Sequence, residues 1–220
     1  MSLTPRIAPK SGTAKQLVVF LHGYGADGRD LIDIGTHWQS ALPDAAFISP
    51  NAPEPCGMSP MGRQWFELTM RDPDERWRGV NHAEAKLQAV LDAELLNLKL
   101  KDTDLALVGF SQGTMMALHV GLRRKMPPAC IIGYSGALVM PRSGSFEETD
   151  LVKPSVLLIH GDQDEVIPVG ALRASEKALI SFGVNCETHI SKGVGHGIDN
   201  DGLKLGGEFL ARNFRSRNFR

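Results

Sequence analysis

The amino-acid sequence predicts an α/β fold in which a mainly parallel central sheet carries helices on both faces. Two observations predict it: apolar runs of strand length recur along the chain, and helical patterns of apolar residues lie between them. The runs are continuous rather than alternating, which is typical of strands buried on both faces. Regular alternation of strand and helix favours right-handed β-α-β crossovers. We therefore expect functional residues at the carboxyl ends of the strands.

The strands are predicted from six apolar runs, at 16–21, 45–49, 105–110, 129–134, 156–160 and more weakly 186–190. Three helices are predicted from apolar stripes. Asn81 and Glu84 form a capping-box pattern ahead of a leucine stripe that runs to Leu98. A second stripe runs from Leu31 to Leu42. A third begins at Leu172 and ends before Gly183, which is expected in a left-handed cap.

The length of 220 residues predicts a single domain spanning 1–220. Residues 1–15 are expected to be an N-terminal extension and 212–220 a basic, solvated C-terminal tail. Two stretches outside the strand-helix pattern, 50–74 and 140–149, are predicted to be long surface excursions. Neither has the size of a large lid domain.

Composition excludes several classes of partner. With 42% hydrophobic residues, 22% charged residues and a formal net charge of −1, the chain has no bulk attraction to nucleic acid or to anionic membranes. It has no apolar run of membrane-spanning length and no secretory signal, so we expect a cytoplasmic protein with no stable membrane insertion. The three cysteines form no C-x-x-C pair, and no H-E-x-x-H occurs. We therefore expect neither a metal nor a cofactor.

A candidate nucleophile follows the third apolar run. Gly109-Phe110-Ser111-Gln112-Gly113 matches G-x-S-x-G and is followed by a segment of helical composition. This strand-turn-helix context gives the motif its meaning, because a serine at the tip of a sharp turn needs small residues two positions before and after it. The alternative is an ordinary turn with Ser111 as a helix N-cap.

A serine nucleophile needs a base, and the best candidate is His196. Of the seven histidines, His37, His82 and His119 lie in helical patterns and His189 lies in a strand. His22 and His160 end strands directly before glycine and are expected to be hydrogen-bonded structural groups near the site. His196 lies in Gly193-Val194-Gly195-His196-Gly197, a flexible loop that lets an imidazole reach the serine.

The acid that orients the base is expected after the strand at 156–160. Three acids follow this strand: Asp162, Asp164 and Glu165. Asp162 directly follows the turn glycine, where it could instead brace the loop, and Glu165 is expected to face water. Asp164 is favoured because Val166-Ile167-Pro168 would fix its loop, although the residues alone leave Asp162 open.

The first strand ends in His22-Gly23-Tyr24-Gly25-Ala26-Asp27-Gly28, whose glycines have the G-x-G-x-x-G spacing of dinucleotide sites. A Rossmann site would place an acid about twenty residues further on, at the end of the second strand. That strand is followed by Pro50 and Asn51 instead. The alternative is that the glycines direct backbone N–H groups toward a negative oxygen formed beside the nucleophile.

At these residues the chain resembles the phospholipase/carboxylesterase family of α/β-hydrolases, which includes bacterial carboxylesterases and acyl-protein thioesterases. The matching segments are FLHGYGADG, GFSQGTMMAL, HGDQDEVIPV and GVGHGID, in the family's order. The resemblance implies a minimal α/β-hydrolase fold without a large lid domain and a triad of Ser111, Asp164 and His196. It also implies oxyanion-hole donors at the backbone N–H groups of Tyr24 and Gln112. Tyr24 departs from the leucine usual at that position.

The implied function is hydrolysis of carboxylic esters with small to medium acyl chains through an acyl-enzyme. An acyl-protein thioesterase or lysophospholipase is the alternative with the same chemistry, and a non-catalytic binding protein of this fold is the alternative from another class. The expected partner is a small-molecule ester or thioester, and the sequence does not decide whether the chain forms a homodimer. For the acyl chain the candidates are Met58, Met61, Trp65 and Phe66, although packing explains Trp65 and Phe66 equally well.

Overall fold

The computed structural model describes residues 4–57, 59, 61–69, 72, 74–142 and 151–215. The strands of its central sheet are β1 (Arg6–Ile7), β2 (Gln16–Leu21), β3 (Ala45–Ile48), β6 (Leu105–Phe110), β7 (Cys130–Tyr134), β8 (Ser155–Gly161) and β9 (Cys186–Ser191); β4 (Glu54–Pro55) and β5 (Arg63–Gln64) form a separate hairpin. The seven strands lie in the order β1-β3-β2-β6-β7-β8-β9. Five neighbouring pairs are parallel, and β1 pairs with β3 antiparallel.

All six predicted strands are present, within one residue at each end. The four central ones, β2, β6, β7 and β8, are buried along almost their whole length. Burial on both faces explains why their sequences are continuously apolar. The mainly parallel sheet predicted from the sequence is confirmed.

Helices cover both faces of the sheet. One face packs against α2 (Glu75–Leu98), α3 (Gln112–Gly121) and α4 (Gly170–Ser181), and the other against α1 (Ile32–Trp38) and α5 (Asn200–Arg215). Alternate residues of β2 go to opposite faces: Leu17 and Val19 join the first core and Val18 and Phe20 the second. None of the helices in the described residues is long and apolar enough to cross a bilayer.

The start of α2 and the end of α4 can be compared with the capping signals in the sequence. Helix α2 begins at Glu75, so Asn81 is not its N-cap; the Asn81 amide donates to the Trp77 carbonyl one turn earlier. Helix α4 ends as predicted, with Gly183 at φ 73° and the Val184 N–H donating to the Leu179 carbonyl.

Both ends of the chain contribute more to the fold than the sequence predicts. The expected extension at 1–15 contains β1, which continues the sheet beyond β3. The expected tail at 212–220 overlaps α5, where Phe214 is buried and Arg212 pairs with Glu187. The tail beyond Arg215 lies outside the described residues.

The excursion at 50–74 contains the short antiparallel hairpin of β4 and β5. This hairpin contacts the turn after β2: the Gly25 N–H donates to the Arg63 carbonyl and the Arg63 N–H to the Ala26 carbonyl. The excursion therefore braces the glycine-rich turn. Most of the second excursion, at 140–149, lies outside the described residues.

Candidate active site

Ser111 lies at the sharp turn between β6 and α3. Its backbone has φ 53° and ψ −115°, a conformation that a residue with a side chain rarely adopts. The turn is held by the Ser111 N–H, which donates to the Tyr134 carbonyl at the end of β7 (2.9 Å). The strained serine at the start of a helix has the geometry expected of a nucleophile elbow.

The two motif glycines permit this turn. A Cβ on Gly109 would lie 2.4 Å from the carbonyl carbon of Gly113, and a Cβ on Gly113 would lie 1.8 Å from the Leu21 carbonyl oxygen. Because these obstacles are backbone atoms, no rotamer change relieves them. The steric reason for small residues on both sides of the serine is therefore present in the structure.

His196 and Asp164 are brought together from loops 32 residues apart. The His196 Nδ1 lies 2.8 Å from the Asp164 Oδ2. This hydrogen bond places the proton on Nδ1 and leaves Nε2 free to accept one. The two groups thus have the geometry of a base and its orienting acid.

The carboxylate of Asp164 is completely buried. Burial raises its pKa, but the hydrogen bonds from His196 and from the Ile167 and Val166 N–H groups outweigh that effect and hold the pKa below its ordinary value. Asp164 is therefore ionised at neutral pH. Asp162 is exposed and accepts the Gly193 N–H instead (2.7 Å), which is the loop-bracing alternative weighed in the sequence.

The loops carrying Ser111 and His196 meet at the carboxyl edge of the sheet. The imidazole of His196 packs against the ring of Phe110, with centroids 5.0 Å apart. The next residue along, Gly197, accepts a hydrogen bond from the Ser135 hydroxyl (3.2 Å) just after β7. The His196 loop is thus fixed beside the strand ends from which Ser111 emerges.

The N–H groups predicted as oxyanion donors lie on the two turns flanking Ser111. Gln112 is the first residue of α3, where backbone N–H groups have no acceptor within the helix. Tyr24 lies in the turn after β2; a Cβ on the preceding Gly23 would be 3.5 Å from the Ser111 Cβ. Among the described residues, neither N–H donates to a protein acceptor. Both remain available to a ligand oxygen.

The side chain of Gln112 has a structural role that the sequence reasoning missed. Its Oε1 accepts the Trp65 N–H (2.9 Å) and its Nε2 donates to the Phe66 carbonyl (2.7 Å). The Trp65 indole donates in turn to the His22 carbonyl (3.0 Å). These contacts fasten the excursion to the elbow and to the end of β2.

His22 completes this bracing, as its predicted structural role requires. Its Nε2 accepts the Ala52 N–H (3.0 Å), so the proton sits on Nδ1 and is donated to the Gly23 carbonyl (2.8 Å). Burial lowers the pKa of His22 below its ordinary value. A neutral imidazole therefore holds the glycine-rich turn.

The four candidate acyl-contact residues do not form one surface. Trp65 and Phe66 are each only 2% exposed and belong to the core, which favours their packing role. Met61 is 75% exposed on a shallow surface depression beside Arg29 and Arg63. Met58 lies outside the described residues.

An apolar groove lies instead between α4 and the loop that follows β7. Its volume is about 360 Å³. That loop starts beside the elbow, since a Cβ on Gly136 would lie 2.7 Å from the Ser111 carbonyl oxygen. Most of its walls are apolar and come from Trp77, Met115, residues 137–140, Ala171, Ala174 and Ala178; Arg76 and Ser175 add polar groups. No sequence pattern singled out these residues, because the alanines of α4 have no distinguishing signal.

The other histidines occupy the elements predicted for them: His37 in α1, His82 in α2, His119 in α3 and His189 in β9. His160 is hydrogen-bonded as expected, but one of its contacts is the Asp164 carboxylate, which the sequence did not indicate. Within the described ranges, no three His, Cys, Asp or Glu residues form a group able to hold a metal ion.

Comparison with known proteins identifies the family of the chain. The phospholipase/carboxylesterase family matches residues 3–214. The chain is 31% identical to esterase YpfH of Escherichia coli over 199 residues, covering 87% of this chain and 80% of the relative. It is 26% identical to acyl-protein thioesterase 1 of Saccharomyces cerevisiae, covering 96% and 98% of the two chains.

Solved structures show the same relationship. The crystal structure of esterase PE8 superimposes with a TM-score of 0.90 at 44% identity, covering 95% of this chain and 97% of that one. The α/β-hydrolase fold predicted from the motifs is confirmed, and no large lid domain is evident in the described residues. The chain belongs to the phospholipase/carboxylesterase family and is a carboxylesterase-type hydrolase.

Proposed function

We propose that the protein hydrolyses carboxylic esters through an acyl-enzyme formed on Ser111, with His196 as base and Asp164 as the acid that orients it. The observation that carries this proposal is the 2.8 Å contact between His196 Nδ1 and the buried Asp164 Oδ2 beside a serine at a strained elbow. Each group has the role that its environment favours.

The reaction has two halves. The His196 Nε2 takes the Ser111 proton as the serine oxygen bonds to the ester carbonyl carbon. The N–H groups of Tyr24 and Gln112 donate to the carbonyl oxygen as it becomes negative. The intermediate collapses, and the ester C–O bond breaks as the imidazolium gives its proton to the leaving alcohol. Water then attacks the acyl-enzyme by the same route and releases the carboxylic acid.

Asp164 assists because it is ionised. It keeps the Nδ1 proton in place and stabilises the imidazolium that forms in both halves of the reaction. It does not itself take up a proton.

The groove between α4 and the loop after β7 is proposed as the acyl site. Its volume of about 360 Å³ is near the lower end of small-molecule sites, about 300 to 1,000 Å³. This size supports small to medium acyl chains. Two yeast relatives are named acyl-protein thioesterases, so a thioester carbonyl is the second candidate substrate.

The nucleophile is tested by labelling with a fluorophosphonate and by hydrolysis of p-nitrophenyl butyrate. Ser111→Ala is expected to abolish labelling and to lower kcat by about 10⁴-fold or more. Ser49→Ala is the matched control, since Ser49 is also buried and its hydroxyl has no hydrogen-bond partner among the described residues, and it should still be labelled. Labelling of Ser111→Ala at the wild-type rate would refute the proposal and favour a binding protein.

The acyl site is tested with p-nitrophenyl esters of two to twelve carbons and their thioester counterparts. Ala174→Leu adds bulk to the groove wall, so it should lower kcat/KM for the longer chains and leave the acetyl ester unaffected. Lys177→Leu adds the same side chain at an exposed position of α4 and serves as control. Equal chain-length profiles for the two variants would place the acyl chain elsewhere.

A further inference from the structure

His160, near the end of β8, contacts the same Asp164 carboxylate oxygen as His196. The His160 Nε2 lies 2.7 Å from the Ile167 carbonyl oxygen and 3.2 Å from the Asp164 Oδ2. Both neighbours are acceptors, and a backbone carbonyl can never donate. The Nε2 of His160 must therefore carry a proton, which it donates to the Ile167 carbonyl with the Asp164 Oδ2 close beside it.

The carboxylate accepts three hydrogen bonds, and the His160 Nε2–H is a fourth polar group beside it. Oδ1 accepts from the Val166 and Ile167 backbones, at 2.9 and 2.8 Å. Oδ2 accepts from His196 at 2.8 Å and lies 3.2 Å from the His160 Nε2. Because the side chain is fully buried, each donor replaces hydration that the carboxylate has lost.

The other charged groups around the carboxylate have partners of their own. Asp162 accepts the Gly193 N–H, and Asp199 accepts the Gly202 N–H and the Ser191 hydroxyl. Glu165 is exposed. His189 of β9 pairs in register with Ile159, so its side chain points to the opposite face of the sheet from that of His160.

We propose that His160 is a positioning residue for the hydrolysis inferred above: its Nε2–H ties the Asp164 loop to β8 through the Ile167 carbonyl and places a partial positive charge 3.2 Å from the carboxylate oxygen that His196 uses. This inference rests on the proposed function. Its consequence is that the strength of the Asp164–His196 hydrogen bond is set by a second imidazole that never meets the substrate.

Two substitutions by amide side chains, His160→Gln and His160→Asn, distinguish this positioning role from a role in packing alone. In His160→Gln the amide nitrogen occupies the place of Nε2, so it can still donate to the Ile167 carbonyl and lie beside Asp164. In His160→Asn the amide reaches only as far as Nδ1. A displaced acid costs on the order of 10-fold to 100-fold in kcat, so the Asn variant should lose that much while KM is unchanged, and the Gln variant should recover most of it.

The pH profile gives a readout that packing alone would not move. Without the partial positive charge of the His160 N–H 3.2 Å away, the negative charge on Oδ2 is less compensated and stabilises the imidazolium of His196 more. The acid limb of kcat/KM should therefore shift to higher pH by roughly half a unit or more in His160→Asn, but not in His160→Gln. Equal rates and equal acid limbs in the two variants would overturn the proposal.

The wild-type protein provides a test that does not depend on a variant folding. With ¹⁵N-labelled histidine, NMR should show a slowly exchanging proton on His160 Nε2 at neutral pH; a proton on Nδ1 alone would overturn the proposal. Fluorophosphonate labelling distinguishes failure of the His160 proposal from failure of the proposal that Ser111 is the nucleophile. Labelling lost in Ser111→Ala but retained in the His160 variants upholds the nucleophile whatever the outcome for His160.

Discussion

Replacing Gln112 with methionine tests whether its side chain holds the excursion to the elbow. Methionine has a similar shape but offers no hydrogen bonds to the Trp65 N–H or the Phe66 carbonyl. Both backbone groups belong to residues only 2% exposed, and Gln112 is 1% exposed, so water cannot replace the lost partners. Each orphaned group costs about 1 to 3 kcal/mol, so the free energy of unfolding should fall by about 2 to 6 kcal/mol.

The assay is guanidinium unfolding followed by tryptophan fluorescence and circular dichroism, with the slope compared between variants. Gln163→Met is the control, because Gln163 is exposed in the loop after β8 and the same replacement there should change stability by less than about 0.5 kcal/mol. A loss below about 1 kcal/mol in Gln112→Met would refute the bracing role. It would mean that the Trp65–Phe66 segment keeps its place through packing alone.

Two further substitutions test the turns on either side of Ser111. Gly113→Ala should destabilise the protein by about 3 kcal/mol or more, because its Cβ would lie 1.8 Å from the Leu21 carbonyl oxygen. Gly170→Ala, with nothing within 4 Å, is the control and should be neutral or slightly stabilising in the same unfolding assay. His22→Gln tests the neutral imidazole. Since the pKa of His22 is lowered in the folded state, wild-type stability should fall as pH drops below about 6.5, by up to about 1.4 kcal/mol per pH unit. The Gln variant should lack that part of the pH dependence below about pH 6.5.

The predictions for Gly113→Ala and His22→Gln would each be contradicted by one result. Equal unfolding midpoints for Gly113→Ala and Gly170→Ala would mean that the elbow shifts to make room. Identical pH slopes for His22→Gln and wild type would mean that His22 is protonated as readily in the folded state as in the unfolded chain.

The strands were predictable because a parallel sheet buried on both faces requires continuous apolar runs. Helix α5 was not, because its glycines conceal its apolar stripe. The glycines are required because distant side chains pack directly against them. A Cβ on Gly206 would lie 2.1 Å from the Tyr134 hydroxyl oxygen, and one on Gly207 would lie 2.9 Å from the Trp38 ring. Only the packed structure explains why a helix tolerates them.

The candidate site likewise contains some residues that the sequence reveals and others that only the structure reveals. Ser111 and His196 stand out in the sequence because a special turn and a flexible loop require glycines around them. The side chains of Gln112 and His160 do not, since their roles depend on where other segments arrive. Gln112 bonds to a residue 47 positions away. His160 contacts an acid only four positions away, but the turn that folds Asp164 back onto β8 has no local signature.

The short strand β1 has a practical consequence for handling the protein. Arg6 and Ile7 cover the outer edge of β3, all four residues of which are buried. Without this cover the N–H and C=O groups of β3 would form an open template for another chain. Trimming the chain past β1 is therefore expected to cause aggregation, even though the proposed catalytic groups lie elsewhere.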